Sequence, residues 1–191
     1  MVCSEADPPH GNCGNCRGAK LLFESARTIG PYDGHLRQAV LKAKHALYEP
    51  LAIALGQRLA ESIERQPLPE RPDLLVPVPM HWLKRLWRKT NPANTIAHAL
   101  ARRLELRCAT GVLICGRILR RQATLTPPER RLNVRGAFRA SRRWNIAGQR
   151  VLLIDDVMTT GATAHEASRA LLKAGAAAVD VATVARSSPS F

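Results

Sequence analysis

The stretch that most constrains this chain runs from Arg150 to Gly175, RVLLIDDVMTTGATAHEASRALLKAG. Val151 to Ile154 is a short apolar run suited to a buried strand, and it ends in two acids, Asp155 and Asp156. A small-residue turn follows, Thr159-Thr160-Gly161-Ala162-Thr163, and then a helical pattern from about Ala164 to Ala174 that closes at Gly175. Strand, acidic tip, glycine turn and helix start are the parts of a phosphate site with a sugar or metal beside it. The glycine lets backbone approach an anion, and the first free N–H groups of a helix point at it. Two carboxylates in succession on a strand point to different sides. One can meet a ribose hydroxyl or Mg2+ while the other braces the loop. The plainer alternative is a strand-turn-helix whose turn is merely polar.

The ordered pattern of acid pair, three residues and Thr-Gly-x-Thr resembles the signature of the type I phosphoribosyltransferases. The resemblance implies that Asp155 and Asp156 serve the ribose hydroxyls and stand where the chemistry occurs. It also implies that Thr159, Thr160, Gly161, Ala162 and Thr163 hold the 5-phosphate of phosphoribosyl pyrophosphate. Mg2+ is the cofactor it implies.

With 191 residues, 46 % of them apolar, the chain can bury one sizeable core with a small appendage. No run approaches the roughly 18 consecutive apolar residues of a membrane span. The first residues, MVCSEADPPHG, have neither a basic patch nor an apolar run, so no export signal is read there and the cytoplasm is the expected compartment. The net charge of +14 is uneven. From His81 to Arg143 sixteen Lys or Arg face two acids, Glu105 and Glu129. Such a field favours phosphates or nucleic acid, and equally suits a solvated basic face. Lys84, Arg85 and Arg88 are the candidate basic surface. Three Phe, three Trp and two Tyr are too few for a platform of many stacked bases.

Three of five cysteines lie near the start. Cys13-Gly14-Asn15-Cys16 has the spacing of half a zinc knuckle, with Cys3 and His10 as further candidate ligands for Zn2+. A metal-free remnant and a redox pair fit the same spacing. Cys108 and Cys115 lack close partners and read as buried free thiols. Leu21 to Gly34 reads as a link with a strand broken at Gly30-Pro31. Leu36 to Lys44 and Leu51 to Ile63 read as helices, the second started by Pro50. Arg37, Lys42, Lys44 and His45 either line the site or solvate the first of them, and they are taken as solvating it. Asp73 to Pro79 is a strand stiffened by Pro77 and Pro79. Asn91 to Leu104 looks helical, Val112 to Leu119 includes a strand, and Gln122 to Phe138 is long enough for a lid or binding loop. Ala178 to Ala185 supplies a last strand. Alternating strands and helices imply an α/β fold: a mostly parallel sheet flanked by helices, with ligand at the strand C-termini. The expected units are a cysteine module over 1–30, a phosphoribosyltransferase-like domain over 31–186 and a tail over 187–191.

In order along the chain, Cys13/Cys16, Tyr32-Asp33-Gly34, Val76-Pro77-Val78-Pro79, Gln122/Leu125/Arg130/Asn133/Phe138 and Asp155 to Thr163 are similar to the ComF family of competence proteins. Two departures stand out. The family's first cysteine pair is reduced to Cys3, and its arginine-glycine-phenylalanine-asparagine-glutamine segment appears as Arg88-Lys89-Thr90-Asn91-Pro92. The resemblance implies three readings, which the residues leave open. One is a Mg-dependent glycosyltransferase that moves phosphoribose to a nitrogen acceptor and releases pyrophosphate. Another is a DNA-uptake factor with single-stranded DNA and a competence helicase as partners. The third is a non-catalytic sensor of phosphoribosyl pyrophosphate. No Ser-His-Asp or Cys-His arrangement suggests a protein nucleophile, and His81 reads either as a candidate base or, in preference, as an exposed or capping histidine.

Overall fold

The computed structural model describes residues 2–3, 21–80, 91–119 and 125–187. Its frame is a parallel six-stranded sheet in the order β1-β2-β8-β7-β3-β4. The strands are β1 (Val2–Cys3), β2 (Ser25–Pro31), β3 (Leu74–Pro77), β4 (Arg107–Cys108), β7 (Arg150–Met158) and β8 (Ala178–Arg186). β5 (Leu113–Cys115) and β6 (Phe138–Ala140) form a separate antiparallel pair. The helices are α1 (Gly34–Ala43), α2 (Glu49–Arg65), α3 (Pro92–Arg103), α4 (Pro127–Val134) and α5 (Ala162–Lys173). Among the described residues no helix is long and apolar enough to cross a membrane.

Parallel strands buried on both faces read as nearly continuous apolar runs. β8 fits that rule, with every residue buried between β2 and β7. Successive side chains of β7 go to opposite faces. Val151 and Leu153 join a core under α5 and the β5–β6 pair, whereas Leu152 and Ile154 join a second core under α1, α2 and α3.

The signature strand is longer than its apolar run. It extends through Asp155 and Asp156 to Met158, in register with β8 as far as Met158 opposite Arg186. Backbone pairing needs no apolar side chain, so the acids stay within the ladder rather than ending it. β2 likewise runs through Gly30 and Pro31, pairing them with Ala185 and Arg186. Ser25 to Gly30 therefore belong to the main sheet. The long segment before β6 contains a helix rather than only a loop. Thr126 and Glu129 form a capping box at its start, Glu129 Oε2 accepting from both the Thr126 N–H and its hydroxyl at 2.7 Å. The strand expected within 112–119 is confined to three residues. Cys115 is buried, and burial pushes the half-buried Cys108 thiol up to about 11, so Cys108 is not a reactive thiolate near neutrality.

α2 begins with a proline in its first turn and buries Ala52, Leu55, Gly56, Leu59, Ala60 and Ile63 at helical spacing. Its seam with α3 is tight at Gly56. A Cβ there would lie 2.6 Å from the Ile96 carbonyl oxygen and 2.7 Å from Ala99 Cβ. Alanine gains about 1 kcal/mol of helix propensity over glycine. Overpacking against a backbone carbonyl costs about 1–3 kcal/mol or more, so the clash should dominate. Gly56→Ala is expected to lower the melting temperature by about 2–6 °C in thermal unfolding, at 2–4 °C per kcal/mol for a chain of this size.

Candidate functional site

The C-terminal ends of the parallel strands converge where β7 leaves the sheet, the place open α/β sheets use for ligands. After Met158 the chain turns through Thr159 and Thr160 to Gly161, whose φ of 71° and ψ of 3° are left-handed. Gly161 is the N-cap of α5, a twelve-residue helix with no acid in its first turn, so its positive end is not neutralised locally. The Thr160 hydroxyl accepts from the Ala162 N–H at 3.4 Å. Leu21 and Phe23 back the turn, each with a carbon 3.7 Å from where a Gly161 Cβ would stand. On the other side of β7, the Val78 N–H donates to the Ile154 carbonyl at 2.8 Å, and the Asn91 amide donates to the Val78 carbonyl at 3.1 Å. The valine-proline segment is thus fixed beside the acids.

Both acids brace their own backbone. Asp155 Oδ1 accepts from the Asp156 N–H at 2.9 Å, and Asp156 Oδ1 accepts from the Val157 N–H at 2.8 Å. Asp156 lies on the face of β7 occupied by α1, α2 and α3, and there its Oδ2 meets Lys44 Nζ at 2.9 Å. Asp155 is partly exposed at its surface, yet lies deep within the mass of the protein. Burial first, and then the neighbouring Asp156 charge, push its carboxyl well above the usual carboxylate range. The backbone bond and Lys44 pull the other way and do not prevail.

The structure therefore gathers Asp155, Asp156, Thr159, Thr160, Gly161, Ala162 and Thr163 at one strand end. The sequence reading took Lys44 as solvating its helix rather than lining the site, but it sits one residue past α1 as its C-cap and faces the acid pair. Tyr32 lies close enough to Lys44 to interact with it, which brings the Tyr32-Asp33-Gly34 motif to the same place. The signal for Lys44 was its apolar spacing from Val40, a buried position on the same helix face. His165, in the second turn region of α5, has its Nδ1 buried with no partner among the described residues. Of the zinc candidates, only the backbone of Cys3 is described, as half of β1. His10, Cys13 and Cys16 lie outside the described residues, as do Lys84, Arg85, Arg88, His81 and Gln122. Among the described residues no cluster of three or more His, Cys, Asp or Glu could hold a metal.

The phosphoribosyl transferase domain model matches residues 92–189, slightly more than half of the chain. The chain belongs to that family. A DNA utilization protein, YhgH, from Escherichia coli strain K12 is 29 % identical over 176 residues, covering 90 % of this chain and 76 % of the relative. Competence protein F of Haemophilus influenzae is 29 % identical over 182 residues, covering 92 % and 78 %. The names of these relatives agree with the resemblance to the competence family. Among solved structures, a glutamine phosphoribosylpyrophosphate amidotransferase from B. subtilis superposes with a TM-score of 0.46 at 25 % identity. That match covers 69 % of this chain and only 25 % of the amidotransferase chain. A purine phosphoribosyltransferase from Pyrococcus horikoshii gives 0.40 at 18 % identity, covering 74 % and 75 %.

The two acids differ in what they cost the fold. A carboxyl whose folded value is raised binds its proton more tightly in the native state, so its contribution to stability is lost as pH rises past the ordinary carboxylate range. Asp155→Asn, which keeps an acceptor for the Asp156 N–H, should raise the melting temperature by about 3–6 °C at pH 8, with the gain vanishing by pH 4. Asp156→Asn should lower it, because the half-buried Lys44 ammonium loses its partner. Thermal melts of both variants at the two pH values check this.

Proposed function

We propose that this chain binds phosphoribosyl pyrophosphate at the β7–α5 turn and uses it as a phosphoribosyl donor. The observation that carries the reading is the union of two adjacent carboxylates with an unneutralised helix N-terminus at one strand end. Phosphate oxygens suit the positive N-terminus of α5, which the left-handed turn at Gly161 opens. The carboxylates suit the vicinal hydroxyls of a ribose held one sugar length away. Family membership and the order of the motifs support the same ligand.

Carboxylate oxygens are hard donors of the kind Mg2+ takes, and the residues fit it in that respect. When bound with the ligand, Mg2+ supplies neutralisation of the pyrophosphate charge. In the transfer reading, the bond from ribose C1 to pyrophosphate breaks, a nitrogen acceptor forms the new bond to C1, and the acceptor's proton is lost to solvent or base. Such a reaction needs placement and charge stabilisation more than a protein nucleophile. Asp155 and Asp156 would fix the ribose, and Thr159 to Thr163 would fix the 5-phosphate. Calorimetry with the magnesium complex of phosphoribosyl pyrophosphate at up to millimolar concentration is the test. Heat and thermal stabilisation are expected for the native chain and neither for the doubly substituted Asp155→Asn, Asp156→Asn protein. No response from the native chain, under conditions in which a known transferase responds, would remove the proposal.

A second reading is favoured by the relatives named for DNA utilization and competence and by the net charge of +14. In it the basic stretch grips single-stranded DNA, with a helicase of the uptake machinery as partner. Several of its arginines are already engaged. Arg103 bridges Glu61 and Glu64, and Arg117 donates to the carbonyls of Leu132, Asn133 and Arg135. Engagement of about four phosphates should give a slope near −3 for log affinity against log salt. Reversing Lys84, Arg85 and Arg88 to Glu should weaken all sequences alike, since phosphate contacts carry no base information. Fluorescence titration of one mixed-sequence oligonucleotide at several salt concentrations reads both, and a flat response would leave the transfer reading alone.

A further inference from the structure

The ion pair between Lys44 and Asp156 joins two elements with no sequence relation, the end of α1 and the end of β7. Its side chains are only 28 % and 19 % exposed. An ammonium in such a place is opposed first by desolvation, yet the charge and hydrogen bond of Asp156 raise it above its ordinary value. The last carbonyls of α1 add a favourable field for a cation at its C-terminus. The acid it grips is the one whose other oxygen is already fixed by the Val157 N–H. Both oxygens of Asp156 are therefore occupied, one by backbone and one by Lys44.

A divalent cation approaching that pair meets an ammonium on the oxygen it would take. Like charges within a few ångströms and partly out of water repel strongly. We infer that Lys44 is a positioning residue that holds the Asp156 carboxylate for the ribose and keeps a free divalent cation off the acid pair, so that metal enters only with the diphosphate of the ligand. This rests on the proposed binding of phosphoribosyl pyrophosphate, but its first consequence concerns metal alone. Lys44 thus makes the order of binding a property of the fold: the pair recognises sugar hydroxyls first and metal through the ligand. Arginine at this position would preserve the charge, and methionine would preserve the length without it.

The test uses the full chain and Mn2+ alone, with free Mn2+ followed by its paramagnetic resonance signal. Lys44→Met should bind Mn2+ at least tenfold more tightly than the native protein, and Lys44→Arg should behave as native. Adding Asp156→Asn to Lys44→Met should abolish the gain, which places the metal on this acid. A merely structural lysine would shift the melting temperature without moving Mn2+ affinity. Should Lys44→Met fold poorly, as judged by melting, Lys44→Gln provides the same uncharged comparison. No gain in Mn2+ binding for a folded uncharged variant, or a gain that survives Asp156→Asn, overturns the inference. If the native chain fails to bind magnesium phosphoribosyl pyrophosphate while the Mn2+ results hold, the proposed function falls and the role of Lys44 in excluding metal stands.

Discussion

The pairing of β7 with β8 along nine residues is the constraint on which the rest of the structure depends. β8 is buried throughout and β7 is buried for most of its apolar run, so the two strands form the floor of both cores at once. Their ladder does not stop when the side chains become acidic. It carries Asp155 and Asp156 to the sheet's C-terminal rim with the backbone still hydrogen-bonded, and that fixes the carboxylates more rigidly than a loop would. Rigid placement of charge on a regular element is what a site needs if it is to hold a ligand without reorganising.

Buried acid at each end of this strand pair is offset by a base from elsewhere in the chain. At the N-terminal end Asp180 has no exposed surface, and burial raises its carboxyl above the usual range. It accepts from the Ser25 hydroxyl at 2.5 Å, and Arg150 lies 3.5 Å away while also bridging Glu24 and Glu70. At the C-terminal end, among the described residues, Asp156 has the ammonium of Lys44, and Asp155 keeps a raised carboxyl. The two ends follow the same electrostatics with different outcomes. The first is saturated with partners and ties β2, β7 and β8 together. Among the described residues the second has fewer partners, as a site for an incoming ligand is expected to have.

The charge total illustrates how location changes the meaning of a count. Sixteen basic residues over one stretch suggest a phosphate-binding face, yet Arg103 serves the α2–α3 contact and Arg117 ties β5 to the end of α4. A cation bonded to protein carboxylates or carbonyls is less available to a nucleic acid than an exposed one. The basic character of the chain is thus divided between holding helices in place and whatever external field remains.

The signature from Val151 to Thr163 was legible because its chemistry is local: a strand, an acid pair, a glycine with positive φ and a helix start follow one another within one stretch. The alternation of strands and helices likewise announced a parallel sheet, since each apolar run has the length and flanking turn residues of its element. The Thr126-Pro127-Pro128-Glu129 capping box was also written in the sequence, and only the length of the surrounding segment disguised it as a loop. Other features could not be read that way. That Asp156 meets Lys44, that Ser25 meets Asp180 and that Gly56 must be bare for α3 to approach are decided by elements far apart in the chain. The strand's continuation to Met158 belongs with them, because it is the ladder with β8, not the apolar content of β7, that sets where a strand ends. Sequence determines what each segment can form and which residues carry charge. Only the packed sheet decides which charges lose their water together, and so which lysine meets the acid pair.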